Sequence, residues 1–302
     1  MRTATGNETD PCSTPPAHTS LGTVLSKMGD PDGAIAHHQE AIRLDLRYPL
    51  AHNNLGHALR AKGDLEGAAR CFRAMIRLDP KHAGAHCNLG VVLRHQGQFG
   101  ESLAAFQKGH ALGSRFPGWR QPSAHWDRLA EALVEREPFL AAVRSGAASP
   151  ATAEEFVLFV QMSHCTGHHA AATRLYVAAF ALWPRLAADP AAGQRYNAAG
   201  YAALAGCGHG ADAPTDPVGR ARLRHQALAW LRADLAFWSR QAGARDPRIR
   251  NVLRQKMQDW QRDRNLAGVR DPDALAKLPD AEHQDWEKLW ADVDALRRRA
   301  GS

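Results

Sequence analysis

The chain has 302 residues, with 38 Lys or Arg against 31 Asp or Glu and a formal net charge of +7. That length supports a sizeable core without metal or disulfide staples, and the basic residues, spread along the whole chain, admit an acidic partner without implying nucleic acid. The five cysteines, Cys12, Cys71, Cys87, Cys165 and Cys207, form no CxxC pair and predict reduced thiols, while the longest apolar run, Leu175 to Trp183, is too short to cross a bilayer, so a soluble cytoplasmic protein without membrane contact is expected.

Residues 1–14 are polar, lack the apolar core of a secretion signal and read as a disordered tail. From Pro15 the chain repeats itself with a period of 34 residues. A Leu-Gly pair recurs at Leu21-Gly22, Leu55-Gly56 and Leu89-Gly90, a second glycine at Gly29, Gly63 and Gly97, and a ring at His38, Phe72 and Phe106. Three units follow, 15–48, 49–82 and 83–116. Within residues 49–82, numbered as slots from one, Leu55 and Leu59 share one face of a first helix at i, i+4. Gly56, at slot 8, removes a side chain so that a second helix can approach. Gly63 ends the first helix with a residue free to take positive φ, and Pro80 stops the second.

This pattern resembles the tetratricopeptide repeat, which implies an all-α fold, a helix-turn-helix array forming an α-solenoid. The first unit departs from it with His38 in the aromatic slot and Leu46 for the closing proline. The third departs with Ser102 in the small slot and Ser114 for the proline. GSRFPGWRQPS at 113–123 leads into a connector over 117–152, with a helix from His125 toward Val143 interrupted at Pro138. A degenerate unit is expected at 153–186, where Gly167, Ala172, Tyr176, Ala179 and Pro184 keep register although Phe159-Val160 replaces Leu-Gly. An unrelated helical hairpin with the same packing needs is the alternative.

Residues 187–302 read as a helical C-terminal region. Helix starts are expected at Ser149-Pro150, Asp216-Pro217, Asp246-Pro247 and Asp271-Pro272, each a capping side chain before a proline, and 207–217 as a flexible loop. Trp286, Leu289, Trp290, Val293 and Leu296 form one stripe of a helix, and Trp230, Trp238 and Trp260 join them in an expected aromatic core. The stretches at 195–208, 220–238, 259–279 and 285–300 resemble the C-terminal region that follows tetratricopeptide repeats in planctomycete-type bacterial serine/threonine protein kinases. That resemblance implies a protein-interaction module without catalytic residues of its own.

No GxGxxG loop, VAIK-type lysine, HRD loop or DFG site occurs in the sequence, and phosphoryl transfer needs those parts together. No enzyme activity and no cofactor are expected. The HCTGHH run supplies His164, Cys165, His168 and His169 as weak zinc candidates, but without two separated ligand pairs they read as polar turn residues on a surface and no metal is expected. GRARLRHQ at 219–226 reads as a solvated helix face. The expected function is non-enzymatic binding of a protein or peptide, with acidic character, in a concave groove. Asn54 and Asn88, at slot 6, offer amides to a peptide backbone, and His57, Arg60, Arg94 and His95 make the same face electropositive. Ser20 holds slot 6 of the first copy, and Thr19 and Thr23 stand where the carboxylate clamp of chaperone-binding relatives would need a lysine and an asparagine. The alternative is the regulatory part of a split or degraded serine/threonine kinase.

Overall fold

The computed structural model describes residues 14–242 and 246–300. Of the tail expected to be disordered over 1–14, all but Thr14 lies outside the described residues, as does Cys12. All regular structure among the described residues is helical. The chain divides into two compact units, one running through Pro138 and one from Phe139.

The first unit is built from antiparallel helix pairs: α1 (Pro15–Met28) with α2 (Pro31–Leu44), α3 (Pro49–Lys62) with α4 (Leu65–Leu78), and α5 (Ala83–His95) with α6 (Phe99–Gly113), followed by α7 (Ser123–Arg136). Local chemistry sets the helix ends. The Asp30 and Asp64 carboxylates accept from the Gly33 and Gly67 N–H groups at 2.9 and 2.8 Å, capping α2 and α4. Between the helices of each pair, Gly29, Gly63 and Gly97 adopt φ of 84°, 94° and 75°, a region that disfavours any side chain.

The glycine of each Leu-Gly pair solves a packing problem. A Cβ built on Gly22 would lie 2.6 Å from the His38 ring, one on Gly56 2.8 Å from Phe72, and one on Gly90 2.9 Å from Phe106. The rings are 1%, 0% and 0% exposed. Each therefore lies flush on the backbone of the preceding helix, a position only glycine permits. The third unit's departure at slot 20 also has a purpose: the Ser102 hydroxyl donates to the Gly90 carbonyl at 2.8 Å across the same contact. After α6 the connector folds back. Trp119 fills the space left by Gly113, where a Cβ would lie 2.3 Å from the indole, and its Nε1 donates to Ser123 Oγ at 3.0 Å. Trp126 of α7 then covers Phe106 at 5.6 Å between centroids.

The second unit holds α8 (Leu140–Ser145), α9 (Ala153–Cys165), α10 (His169–Leu182), α11 (Pro184–Ala188), α12 (Gln194–Gly206), α13 (Pro217–Gln241), α14 (Pro247–Arg262), α15 (Pro272–Leu275) and α16 (Asp280–Arg299), with a 3-10 segment at Arg264–Val269. The break expected at Pro138 is present, since α7 ends at Arg136 and α8 starts at Leu140. The helix start expected at Ser149-Pro150 is displaced: α9 begins at Ala153, because Thr152 accepts from the Glu155 N–H at 3.2 Å while the Glu155 carboxylate reaches back to Ala151 N at 2.9 Å. This reciprocal cap outcompetes the Ser-Pro signal. The Asp-Pro starts at 216, 246 and 271 all open helices.

The loop at 207–217, expected to be flexible, is tied down. Ala211 N donates to the Gly167 carbonyl at 2.8 Å, and the Asp212 carboxylate accepts from Ala170 N and Ala171 N at 3.0 and 2.7 Å, capping α10 from another segment. The expected solvated face at 219–226 also needs correction. Arg224 is buried, pairs through two nitrogens with Glu282 of α16 and donates a third hydrogen bond to the Gly206 carbonyl at 2.7 Å. In the core of this unit Trp238, Trp260 and Trp286 are buried with Leu231, Leu253, Met257, Leu289, Val293 and Leu296, and Trp230 and Trp290 pack at the margin. The aromatic core expected of the C-terminal region is thus present.

Two helical glycines, one beneath a ring and one in open space, test this packing. In Gly56→Ala, overpacking against Phe72 costs about 1–3 kcal/mol and outweighs the gain in helix propensity of about 1 kcal/mol. In Gly100→Ala, where a Cβ would meet nothing within 4 Å, the propensity gain stands alone. Chemical denaturation is expected to show opposite signs, and a stabilised Gly56→Ala would refute the contact's importance. His38 gives a pH test: burial, reinforced by His37, holds its imidazole below the ordinary histidine value. Since the unfolded chain binds the proton more readily, stability is full above the unfolded value of about 6.5 and falls as pH drops below it. His38→Phe is expected to reduce the loss of thermal stability between neutral pH and mildly acidic pH; an unchanged pH dependence would count against it.

A polar ladder across the first helices of the repeats

The first helix of each pair in the first unit, α1, α3 and α5, carries the residues expected to line a groove. Asn54 and Asn88 occur at slot 6, and the structure gives both the same partner position. Asn54 Nδ2 donates to Thr23 Oγ1 at 3.2 Å, and Asn88 Nδ2 contacts His57 Nε2 at 3.2 Å. Thr23 and His57 occupy slot 9 of the preceding unit, so the asparagine stitches each first helix to the one before it. A second set of bonds joins these stitches into one chain. Asn88 Nδ2 also donates to Asn53 Oδ1 at 3.3 Å, Asn53 Nδ2 to Asn54 Oδ1 at 3.2 Å, and the Thr23 hydroxyl to the Thr19 carbonyl at 2.9 Å. The ladder crosses three helices, with its side-chain amides half-buried.

An amide NH₂ has two hydrogens and its oxygen two lone pairs. Asn88 spends both hydrogens on Asn53 and His57 and keeps its oxygen, so it offers a ligand an acceptor. Asn54 keeps one hydrogen and one lone pair and can present donor and acceptor together. Asn54 thus has a donor and an acceptor unspent, and Asn88 an acceptor alone.

The charge of this face also differs from expectation at one residue. His57 lies edge-on to Phe72 at 5.4 Å, accepts at Nε2 from the Asn88 amide nitrogen, which can only donate, and is held below the ordinary histidine value by burial and then by Arg60. It is a neutral packing residue, because a protonated ring could not accept that bond. The positive character rests on Arg60, which is exposed, and Arg94, which is half-buried; neither has an ion pair among the described residues. His95 is half-buried at the end of α5. Ser20 is exposed, and Thr19 is buried on α1. Asn53 was not singled out by sequence reasoning, although its place beside Asn54 in an Asn-Asn doublet was the available signal.

The histidine run of the second unit turns at Gly167, φ +69°, as its slot predicts, but two of its rings pack against Tyr201 instead of lying free on the surface. The His164 and His169 rings lie 5.3 and 6.0 Å from Tyr201, the latter stacked within 11° of parallel, and 6.0 Å from each other. Burial lowers both imidazoles and pushes the Tyr201 phenol up to about 12. His168 instead bonds the Thr166 carbonyl at 2.8 Å, and Cys165 is half-buried at the end of α9. These side chains are drawn inward because Gly167 turns the chain where α12 packs against α10. No group of three or more His, Cys, Asp or Glu able to hold a metal occurs among the described residues. The thiols of Cys71, Cys87 and Cys207 are pushed up to about 11 by burial and remain protonated at neutral pH.

No helix among the described residues is long and apolar enough to cross a membrane. No curated protein matches the chain. Among solved structures, similarity is found to the Sgt2 TPR domain from Aspergillus fumigatus, at 20% identity over 46% of this chain and 86% of that one with a TM-score of 0.39. Pseudomonas aeruginosa pilF is 19% identical over 58% and 78% of the respective chains, with a TM-score of 0.36, and the TPR protein YrrB 19% identical over 56% and 86%, with a TM-score of 0.36. The tetratricopeptide repeat family matches residues 19–69 and 53–113. With glycine-seated rings and paired antiparallel helices recurring in the same register, residues 19–113 of this chain are tetratricopeptide repeats within an all-helical array.

Proposed function

We propose that the chain is a non-catalytic binding module that takes an extended acidic peptide or protein segment across α1, α3 and α5. The observation that carries this reading is the ladder: it fixes the orientation of Asn54 and Asn88 while leaving the Asn54 amide and the Asn88 oxygen with unspent bonding capacity. Pre-oriented amides lose little rotamer freedom when they pair with a peptide backbone. Arg60 and Arg94, on the same helices and without carboxylate partners among the described residues, supply the electrostatic preference for an acidic segment. The neutral state of His57 means that this preference does not depend on histidine protonation.

An array of acidic and neutral peptides probed with the full chain tests the proposal. Acidic peptides are expected to be retained, and Asn54→Ala with Asn88→Ala to weaken them by about 1–3 kcal/mol, the cost of unpaired polar groups in a contact. Arg60→Ala with Arg94→Ala should weaken them further and flatten the dependence on salt. If all four substitutions leave the retained peptides unaffected, the binding face lies elsewhere.

A further inference from the structure

A cavity of about 330 Å³ lies in the second unit, between the end of α12, the start of α13 and the turn after α15. Its charged lining is entirely cationic: Arg220, Arg224 and Lys277, with His209 at the edge and no Asp or Glu among the lining residues. Arg224 is neutralised from behind by Glu282, which takes two of its nitrogens. Arg220 is not neutralised: its Nε donates to the Pro214 carbonyl at 2.7 Å, which fixes the guanidinium without cancelling its charge. Lys277 is exposed and has no ion pair among the described residues. Two uncompensated cations thus converge on one concavity.

The backbone around it is cut to leave that space. Gly208 has φ of +85° and a Cβ there would lie 3.2 Å from the Arg220 guanidinium carbon, so the arginine rests on bare backbone. Gly268 packs against Cys207, with a Cβ position 2.6 Å from the sulfur. The Cys207 thiol, kept protonated by burial, adds no negative charge to the cavity. The volume falls at the lower end of small-molecule sites, about 300–1,000 Å³, and a fixed guanidinium beside an exposed ammonium suits an oxyanion, the first for directed hydrogen bonds and the second as a point charge.

We propose that this cavity binds a small multivalent oxyanion, a phosphate or the diphosphate end of a small molecule, held between Arg220 and Lys277. The site is independent of the peptide face on the first unit. Its separate role would be to let an anionic small molecule bridge α13 to the α15 turn.

Calorimetric titration of the full chain with orthophosphate and with diphosphate, at matched ionic strength, tests the proposal. Saturable binding of one equivalent is expected, diphosphate the tighter because its additional charge engages both cations. Lys277→Gln and Arg220→Gln should each weaken diphosphate about tenfold, as expected for losing one charge-assisted contact, whereas Lys27→Gln, exposed on α1, should change nothing. Circular dichroism establishes that each variant is folded. Lys277 is exposed, so its variant carries the test even if Arg220→Gln unfolds. Absence of saturable heat, or equal weakening by Lys27→Gln and Lys277→Gln, would overturn the proposal, the latter outcome marking a response to net charge alone. Retention by phosphopeptides or anionic vesicles with no response to free diphosphate would overturn it as well.

Discussion

The contact of a ring with the bare backbone of the preceding helix is the constraint on which the repeat region depends. Burying an aromatic side chain contributes about 1.5–3 kcal/mol by area alone, but the ring can be buried in these hairpins only where the facing residue has no Cβ. Gly22, Gly56 and Gly90 supply that position for His38, Phe72 and Phe106. The two residue choices are therefore coupled through space at a separation of 16 positions, and the pair recurs every 34. Where the glycine is absent, the ring finds other company. In the α9–α10 hairpin Val160 stands at the corresponding position, and Tyr176 packs edge-on to Phe156 at 5.1 Å and beside Tyr201 at 6.0 Å, forming an aromatic cluster in place of a ring-on-backbone seat.

The repeat fold was legible because its determinants are small and local. Glycine at positive φ, aspartate before a helix and proline at its first position each leave a one-residue signature, and a fixed period adds them up. Long-range choices left none. Arg224 has the spacing of a solvated face, yet Glu282, 58 positions later, draws it into the interior. Asp212 looks like a loop residue until the N-terminus of α10 is seen beneath it. The candidate site shows the same division. Asn54, Asn88, Arg60 and Arg94 could be named from their register, whereas the spent hydrogens of Asn88 and the neutral acceptor state of His57 follow from partners one repeat away. A register identifies which helix face a side chain occupies and is silent about how much bonding capacity it has left.

The charges of the two units are arranged to different ends. In the second unit Arg224 and Arg195 each meet a buried carboxylate, Glu282 and Asp234. Pairs of this kind return little net stability compared with apolar packing, but removing one partner strands a charge in the interior and is costly. They fix which helix lies against which. In the repeat region the pairs are mostly exposed, such as Arg70 with Glu66 and Arg73 with Glu101, and exposed pairs contribute about 0–1 kcal/mol each. Packing of small residues and rings holds the repeats together, which leaves cations such as Arg60 and Arg94 available for something other than stability.

The ladder bears on how a stabilising network can also serve recognition. Asn54 spends one hydrogen and Asn88 both on the preceding first helix, and these bonds give the side chains fixed rotamers at no cost to any later binding event. In the proposed binding mode, the leftover oxygen of Asn88 and the leftover donor and acceptor of Asn54 would meet the peptide with orientation already established. An apolar residue at slot 6 would pack the same helices and offer nothing. A lysine there would offer charge but would bring its full rotamer entropy, up to about 2 kcal/mol, to each binding event. Asparagine is short enough to be locked by one neighbour and has enough polar atoms to keep some unspent, so the same side chain can hold the array together and leave a group in reserve for a partner.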